Sequence, residues 1–363
     1  MRVKTVYIDD EDKELKKWKG KFEDDERSKE LFKVVSINSQ KQTVDELLNE
    51  IKTTKPELIL VDFDLSKPIN DILLGISGTT LSTALKEKFP DIPAVLFTKK
   101  SVFKIEKYSR QALYSLDNVV YKNEVFQASG DNLDQLHALA VGFKNLRKKQ
   151  SPKWDDILKV IKAPQIDYDT LKLSNPSLFL GGSWSVSEVA KWVRKTLIKY
   201  PGILYDPIHS ATFLGLSESE FLSEKTKEIF AKAKYFGVFA PGEGRWWKSE
   251  LRRIAISKMI KKERELPLYL GFPSALERII ETQVERSKCI YSGETPADWV
   301  CYILNKPVKI KYSLAYRADP RPKVMDEARV SFKAIKTSNE VNDELFDPLG
   351  RDMLKQIRKG KTM

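Results

Sequence analysis

The stretch Pro56-Glu57-Leu58-Ile59-Leu60-Val61-Asp62 constrains the fold of this chain more than any other. Four consecutive apolar residues, opened by a proline and closed by a carboxylate, have the pattern of a strand buried on both faces, as in a parallel sheet. Parallel strands cannot be joined by tight turns. The flanking sequence must therefore supply crossover helices. In open α/β sheets the chemistry sits outside the carboxyl ends of the strands, which is where Asp62 falls.

The flanking sequence fits. Val3 to Ile8 reads as a first strand, followed at once by Asp9, Asp10 and Glu11, and residues 12–30 are charged and helical in pattern. Val34 to Ile37 is a second strand. Asp45 to Ile51 is an amphipathic helix, with Leu47, Leu48 and Ile51 at helical spacing. After Asp62 comes a long loop holding Asp64, Pro68, Gly75 and Gly78, then a helix from Leu81 to Lys88. Pro93 to Phe97 is a fourth strand ending at Thr98. Ile105 to Leu116 is a helix, Val119 to Tyr121 a fifth strand ending at Lys122, and Leu133 to Phe143 a closing helix. Strands alternating with helices in this way predict a parallel sheet with right-handed crossovers.

The predicted strand tips carry Asp9 and Asp10, Asp62, Thr98 and Lys122. Clustered carboxylates repel one another unless a hard divalent cation such as Mg²⁺ neutralises them. A hydroxyl and an ammonium beside them could hold phosphoryl oxygens. The chemistry such a set supports is phosphoryl transfer to Asp62, with the metal and Lys122 stabilising developing charge. The simpler alternative is that these acids cap helices and Lys122 is a surface charge.

Residues 1 to about 145 resemble the receiver domain of two-component response regulators. The likeness rests on Asp9-Asp10-Glu11, Pro56 to Asp62, Thr98 and Lys122, in that order. It implies a flavodoxin-like, five-stranded parallel α/β domain with Asp62 as phosphoacceptor, Asp9, Asp10 and Asp62 around Mg²⁺, Thr98 as switch hydroxyl and Lys122 on the phosphate. It also implies a histidine kinase or phosphotransfer protein as partner, and a homodimer formed through the receiver domain. Three positions depart from the family pattern. Lys99 stands where a small residue usually follows the threonine, Val119 where an aromatic switch residue is common, and Asn123 where proline often follows the lysine. A receiver-like docking module that is not phosphorylated is therefore a second expectation.

Beyond the receiver-like part, residues 146–160 read as a polar, basic linker containing Ser151-Pro152, and 161–363 as a helix-rich mixed α/β effector domain. Every tryptophan except Trp18 lies beyond residue 150, and such groups normally anchor a core. The first 150 residues are close to neutral, so nearly all of the net charge of +12 belongs to this second part. That directs an anionic partner, nucleic acid or an acidic protein surface, to it. A helix predicted from Trp246 to about Glu265 would carry Arg245, Lys248 and Arg252 in one basic stripe, a candidate nucleic-acid contact; an ordinary packing helix with a solvated basic face is the plainer alternative. Further helices are predicted over 183–200 and, from a capping pattern at Ser217, over 217–234. Phe236 to Phe239 reads as a strand, and the alternations at 308–316 and 328–334 as a hairpin.

Catalytic signals are thin here. Asp206 with His209, and Asp326 with Glu327, lack a nucleophile motif, and Asp206 before Pro207 reads as a turn residue. Cys289 and Cys301, with His137 and His209 far apart, give no zinc pattern and read as buried thiols. No apolar run is long enough for a membrane span, and no signal-like pattern precedes Val3, so a cytoplasmic protein is expected.

Overall fold

The computed structural model describes residues 2–41, 43–63, 65, 78–99, 116–127, 131–148, 153–174, 184–240, 242, 244–317 and 321–360. Asp64, Pro68, Gly75, Ser151-Pro152 and the helix predicted over Ile105 to Leu116 lie outside these residues, save Leu116 itself. The chain forms two compact units. Unit 1 comprises Met1–Val160, Gly181–Val193 and Gly237–Gly242; unit 2 comprises Ile161–Leu180, Arg194–Phe236 and Glu243–Met363.

Unit 1 is built on β1 (Val3–Asp9), β2 (Phe32–Asn38), β3 (Leu58–Val61), β4 (Ala94–Thr98) and β5 (Asn118–Tyr121). All pairings are parallel and the order is β2-β1-β3-β4-β5. Helices Asp12–Asp24, Val44–Thr54, Gly78–Lys88 and Asp131–Arg147 connect or close it. One face of the central strands, Val6, Ile8, Ile59 and Val61, packs with Leu47, Ile51, Leu81 and Leu85. Full burial of each such side chain contributes roughly 1.5–3 kcal/mol. The other face is aromatic: Phe97 meets Tyr7 and Trp18 edge-on, and Phe22 contacts Phe32 and Phe126. Thr43 closes a capping box with Glu46 at the start of Val44–Thr54.

The segment expected as a linker carries a helix, Trp154–Ile161. Within unit 1, Trp154 lies against Trp184 and Trp192, and Phe239 packs against Phe143. These apolar contacts draw two later excursions of the chain into the first unit.

Unit 2 is helix-rich and, among the described residues, has three two-stranded antiparallel sheets: β6 (Leu204–Tyr205) with β7 (Trp246–Trp247), β8 (Trp299–Cys301) with β9 (Lys306–Val308), and β10 (Ser313–Ala315) with β11 (Arg329–Ser331). Several expectations change here. The helix over 217–234 is two short ones, Glu218–Phe221 and Glu224–Ile229, because Ser223 caps a second start. Phe236 to Phe239 is not a strand; Phe239 has φ 62°, which breaks extension. The helix from Trp246 runs only over Lys248–Lys258, its predicted first residues being strand β7, and a separate turn, Lys261–Arg264, follows. The hairpin exists as β10–β11, but Val308 pairs in β9 with β8, and Ser331 caps a helix, Phe332–Thr337, where strand was expected. The three-residue alternation at each place was real. Its extension was cut by a cap or a turn. Cys289 and Cys301 are free and buried. Among the described residues no helix is long and apolar enough to cross a membrane.

Candidate functional site

At the carboxyl edge of the sheet in unit 1, three strand tips converge on one ammonium. β5 ends at Tyr121, and the next residue, Lys122, donates its backbone N–H to the Thr98 carbonyl at 2.8 Å, extending the β4–β5 register by one step. The Lys122 side chain is 2% exposed. Its Nζ donates to Asp62 Oδ1 at 2.5 Å, to Asp9 Oδ2 at 3.1 Å and to the Tyr7 hydroxyl at 2.8 Å. Each of the three protons of the ammonium therefore has an oxygen, which is what a buried cation requires. The rings of Tyr7, Phe97 and Trp18 stand 5.3–5.9 Å from the same nitrogen and add cation–π attraction.

The acids are likewise held. Asp9 accepts from the Glu11 N–H at 3.1 Å and from the Tyr7 hydroxyl. Tyr7 and Asp9 lie two residues apart on one strand, so they share a face. Burial, reinforced by the Asp9 charge, drives the Tyr7 phenol far above its usual range and keeps it a donor. Asp10 is buried and accepts from Gln40 Nε2 at 3.4 Å. Burial, and then the neighbouring Asp9 carboxylate, push its carboxyl up to about 6. Asp62 follows β3, its N–H bonded to the Ile8 carbonyl at 2.9 Å, and its side chain is 12% exposed, enough for a reactant to reach an oxygen. Gly78 lies directly against the Asp62 backbone. A Cβ there would lie 1.8 Å from the Asp62 carbonyl oxygen, so only glycine fits.

Asp9, Asp62 and Lys122 thus form one bonded cluster, with Asp10 beside Asp9 and Thr98 buried at the tip of the adjacent strand. Sequence reasoning did not single out Tyr7, Trp18 or Gln40; the one available signal was the two-residue spacing of Tyr7 from Asp9. Among the described residues no three His, Cys, Asp or Glu side chains enclose a metal ion. Mg²⁺ does not need such a cage. It keeps several waters and is held by one or two carboxylates plus phosphate oxygens. The Asp9–Asp10 pair is all oxygen, and among the described residues no Lys or Arg is ion-paired with Asp10, so the pair fits it.

The positions that depart from the receiver pattern are also visible. Lys99 is exposed and pairs with Glu14 at 2.8 Å, and Glu14 in turn accepts from Trp18 Nε1 at 2.7 Å. Val119 packs with Phe63, Leu96 and Leu116. Asn123 is exposed.

The basic residues singled out in unit 2 do not make one solvent-facing stripe. Arg245 precedes the helix and donates to the carbonyls of Ile198 and Gly244. Lys248 pairs with Asp326 at 2.9 Å, and Arg252 is exposed.

No family model matches the chain, and no curated protein matches it. Solved structures do resemble it. The response regulator TrrA of Thermotoga maritima, in complex with Mg²⁺-BeF, is 19% identical, with 37% of this chain and 98% of that one covered and a TM-score of 0.28. A CheY-like receiver domain protein of Methanospirillum hungatei JF-1 is 17% identical over 40% of this chain and 98% of its own, at a TM-score of 0.29. The receiver domain of Francisella response regulator 1452 is 20% identical over 40% and 99%, at 0.27. The sheet order 2-1-3-4-5, with Asp9, Asp62 and Lys122 at its carboxyl edge, is the flavodoxin-like arrangement. In that fold the N-terminal two-fifths of the chain are similar to response-regulator receiver domains.

Proposed function

We propose that this chain is a response-regulator-like signalling protein that accepts a phosphoryl group on Asp62 and passes the change to its C-terminal part. The observation that carries the reading is Lys122, whose buried ammonium touches both Asp62 and Asp9 at the carboxyl edge of the sheet. In the reaction an Asp62 carboxylate oxygen attacks the phosphorus of the donor, a histidine kinase or phosphotransfer protein. A new P–O bond forms as the bond to the donor breaks, and the electron pair leaves with the donor. Asp9 and Asp10 would hold Mg²⁺, which supplies charge neutralisation for the phosphoryl oxygens when bound. Lys122 already stands 2.5 Å from the acceptor oxygen and would follow the charge onto a phosphoryl oxygen. Thr98, buried at the end of β4, the strand paired with β3, would sense it.

The test is incubation with acetyl phosphate and Mg²⁺. One hydroxylamine-labile phosphate per chain is expected, absent from Asp62→Asn; no incorporation into the wild type would remove the proposal.

A second reading has its own observation. Lys99 is tied to Glu14, and Val119 belongs to an apolar cluster, so neither supplies the usual threonine-coupled switch. On this reading the receiver-like part docks the protein into an assembly without being phosphorylated. Recovery of the same stable partner by wild type and by Asp62→Asn would favour it.

A further inference from the structure

Helix Lys248–Lys258 turns one side to the interior of unit 2, where Leu251, Ile254 and Ala255 join Phe272, Ala275 and Leu276 of helix Leu268–Ile280. Other apolar residues of the same region face water. Ile260 is 52% and Leu266 49% exposed, and Ile256 and Ile279 are exposed as well. Hydrogen bonds hold this region together. The Glu263 carboxylate accepts from the Ile260 N–H at 2.7 Å and from Arg278 Nη2 at 3.1 Å, and Arg278 Nη2 also donates to the Lys258 carbonyl at 3.0 Å. The Leu266 N–H donates to the Glu263 carbonyl at 3.2 Å. Met259 is buried in the core, and Gly271 lies so near the Glu263 carbonyl that a Cβ there would come within 2.3 Å of its oxygen. The turn Lys261–Arg264 is thus fixed against helix Leu268–Ile280.

The charges between residues 250 and 281 leave a positive surplus. Glu250 pairs with Arg253, Glu263 with Arg278 and Glu277 with Arg286. The remaining carboxylates are Glu265 and Glu281, both exposed. Against these two stand five exposed cations, Arg252, Lys258, Lys261, Lys262 and Arg264, none of which has a carboxylate within ion-pair distance among the described residues.

The mixture of residue types indicates what covers the region. Protein interfaces are rich in Tyr, Trp and Arg and poor in Lys. Single-stranded nucleic acids stack their bases on aromatic rings, and duplex phosphates gain nothing from exposed aliphatic side chains. Exposed Ile and Leu among unpaired Lys suit an anionic bilayer, where aliphatic groups enter the headgroup–acyl boundary and ammoniums stay at the headgroups. We propose that this region of unit 2 docks reversibly on an anionic lipid surface, with Ile260 and Leu266 inserted and Lys258, Lys261 and Lys262 against the headgroups. The docking does not depend on phosphorylation of Asp62.

The test is sedimentation of the full chain with vesicles of phosphatidylcholine carrying about 30% phosphatidylserine, and with vesicles of phosphatidylcholine alone. Saturable binding to the first is expected, weakening as salt is raised and about tenfold or more weaker on the second. Joint replacement Lys261→Gln and Lys262→Gln, at exposed positions, should weaken binding by about 25-fold, about fivefold for each charge. Ile260→Gln keeps the charge and should weaken it by about fivefold, the loss of a half-exposed side chain from the boundary. Asp62→Asn should bind as the wild type does. No binding to the phosphatidylserine vesicles overturns the proposal. So does equal binding to uncharged vesicles, or binding that either the lysine replacement or Ile260→Gln leaves unchanged. A duplex-DNA shift lost in the lysine variant, without vesicle binding, overturns it in favour of a nucleic-acid contact.

Discussion

Replacing Lys122 by Met tests the central cluster without assuming any activity. Met keeps most of the side-chain length and its packing against Tyr7, Phe97 and Trp18, but removes the charge and the donors. Asp9 and Asp62 then face each other across a site that is 2% exposed at the lysine, with no cation between them. Breaking a buried ion pair from one side costs about 3–5 kcal/mol, most of it the penalty of the uncompensated charge left behind. Two acids share this cation, so the upper part of that range is expected. Because the chain has two units, stability should be read locally, by amide hydrogen exchange in β1, β3 and β5. Mg²⁺ should restore part of the loss, since it supplies the missing charge. Adding Asp62→Asn should restore part as well, with a coupling energy of about 1–3 kcal/mol in the double-mutant cycle. A loss below about 1 kcal/mol, or strict additivity with Asp62→Asn, would refute the claim that Lys122 neutralises these acids.

Other perturbations probe separate links. Gly78→Ala drives a methyl into the Asp62 backbone, within 1.8–2.9 Å of three main-chain atoms; about 1–3 kcal/mol of stability should be lost by denaturant titration, together with phosphate incorporation. Tyr7→Phe keeps the ring but removes a hydroxyl shared by Lys122 and Asp9, and hydrogen exchange in β1 should report a loss of about 1–3 kcal/mol. In unit 2 burial pushes the Asp167 carboxyl from 3.8 up to about 6, although Ser249 donates to it at 2.6 Å. The folded state then holds this proton more tightly than the unfolded chain, so the contribution of Asp167 to stability is present below about pH 4 and is lost as the pH rises through about 6. Asp167→Asn should flatten that fall when urea unfolding is compared at about pH 5 and about pH 8; an unchanged slope would mean the carboxyl does not titrate there.

Local patterns served well where a helix or strand was buried against one partner. Leu47 and Ile51 marked Val44–Thr54, and Thr43 with Glu46 made the box that starts it. They served poorly in unit 2, where elements are short. Ser223 and Ser331 begin new helices in the middle of what the hydrophobic period alone would continue, and a cap outweighs a weak periodic signal. Lys248 looked like part of a surface stripe because sequence shows charge but not its partner. Asp326, which holds it, is 78 residues away.

The sequence by itself determined that the first part of the chain would be a parallel sheet with acids, a threonine and a lysine at its strand tips, because strand burial and the period of two are local properties. Only the tertiary structure decided what those tips do to one another. Lys122 meets Tyr7 across 115 residues and Asp62 across 60, and in unit 2 Arg278 meets Glu263 across 15. Charge neutralisation, desolvation and the fit of a glycine against the Asp62 carbonyl all depend on distance in space, which no spacing along the chain records.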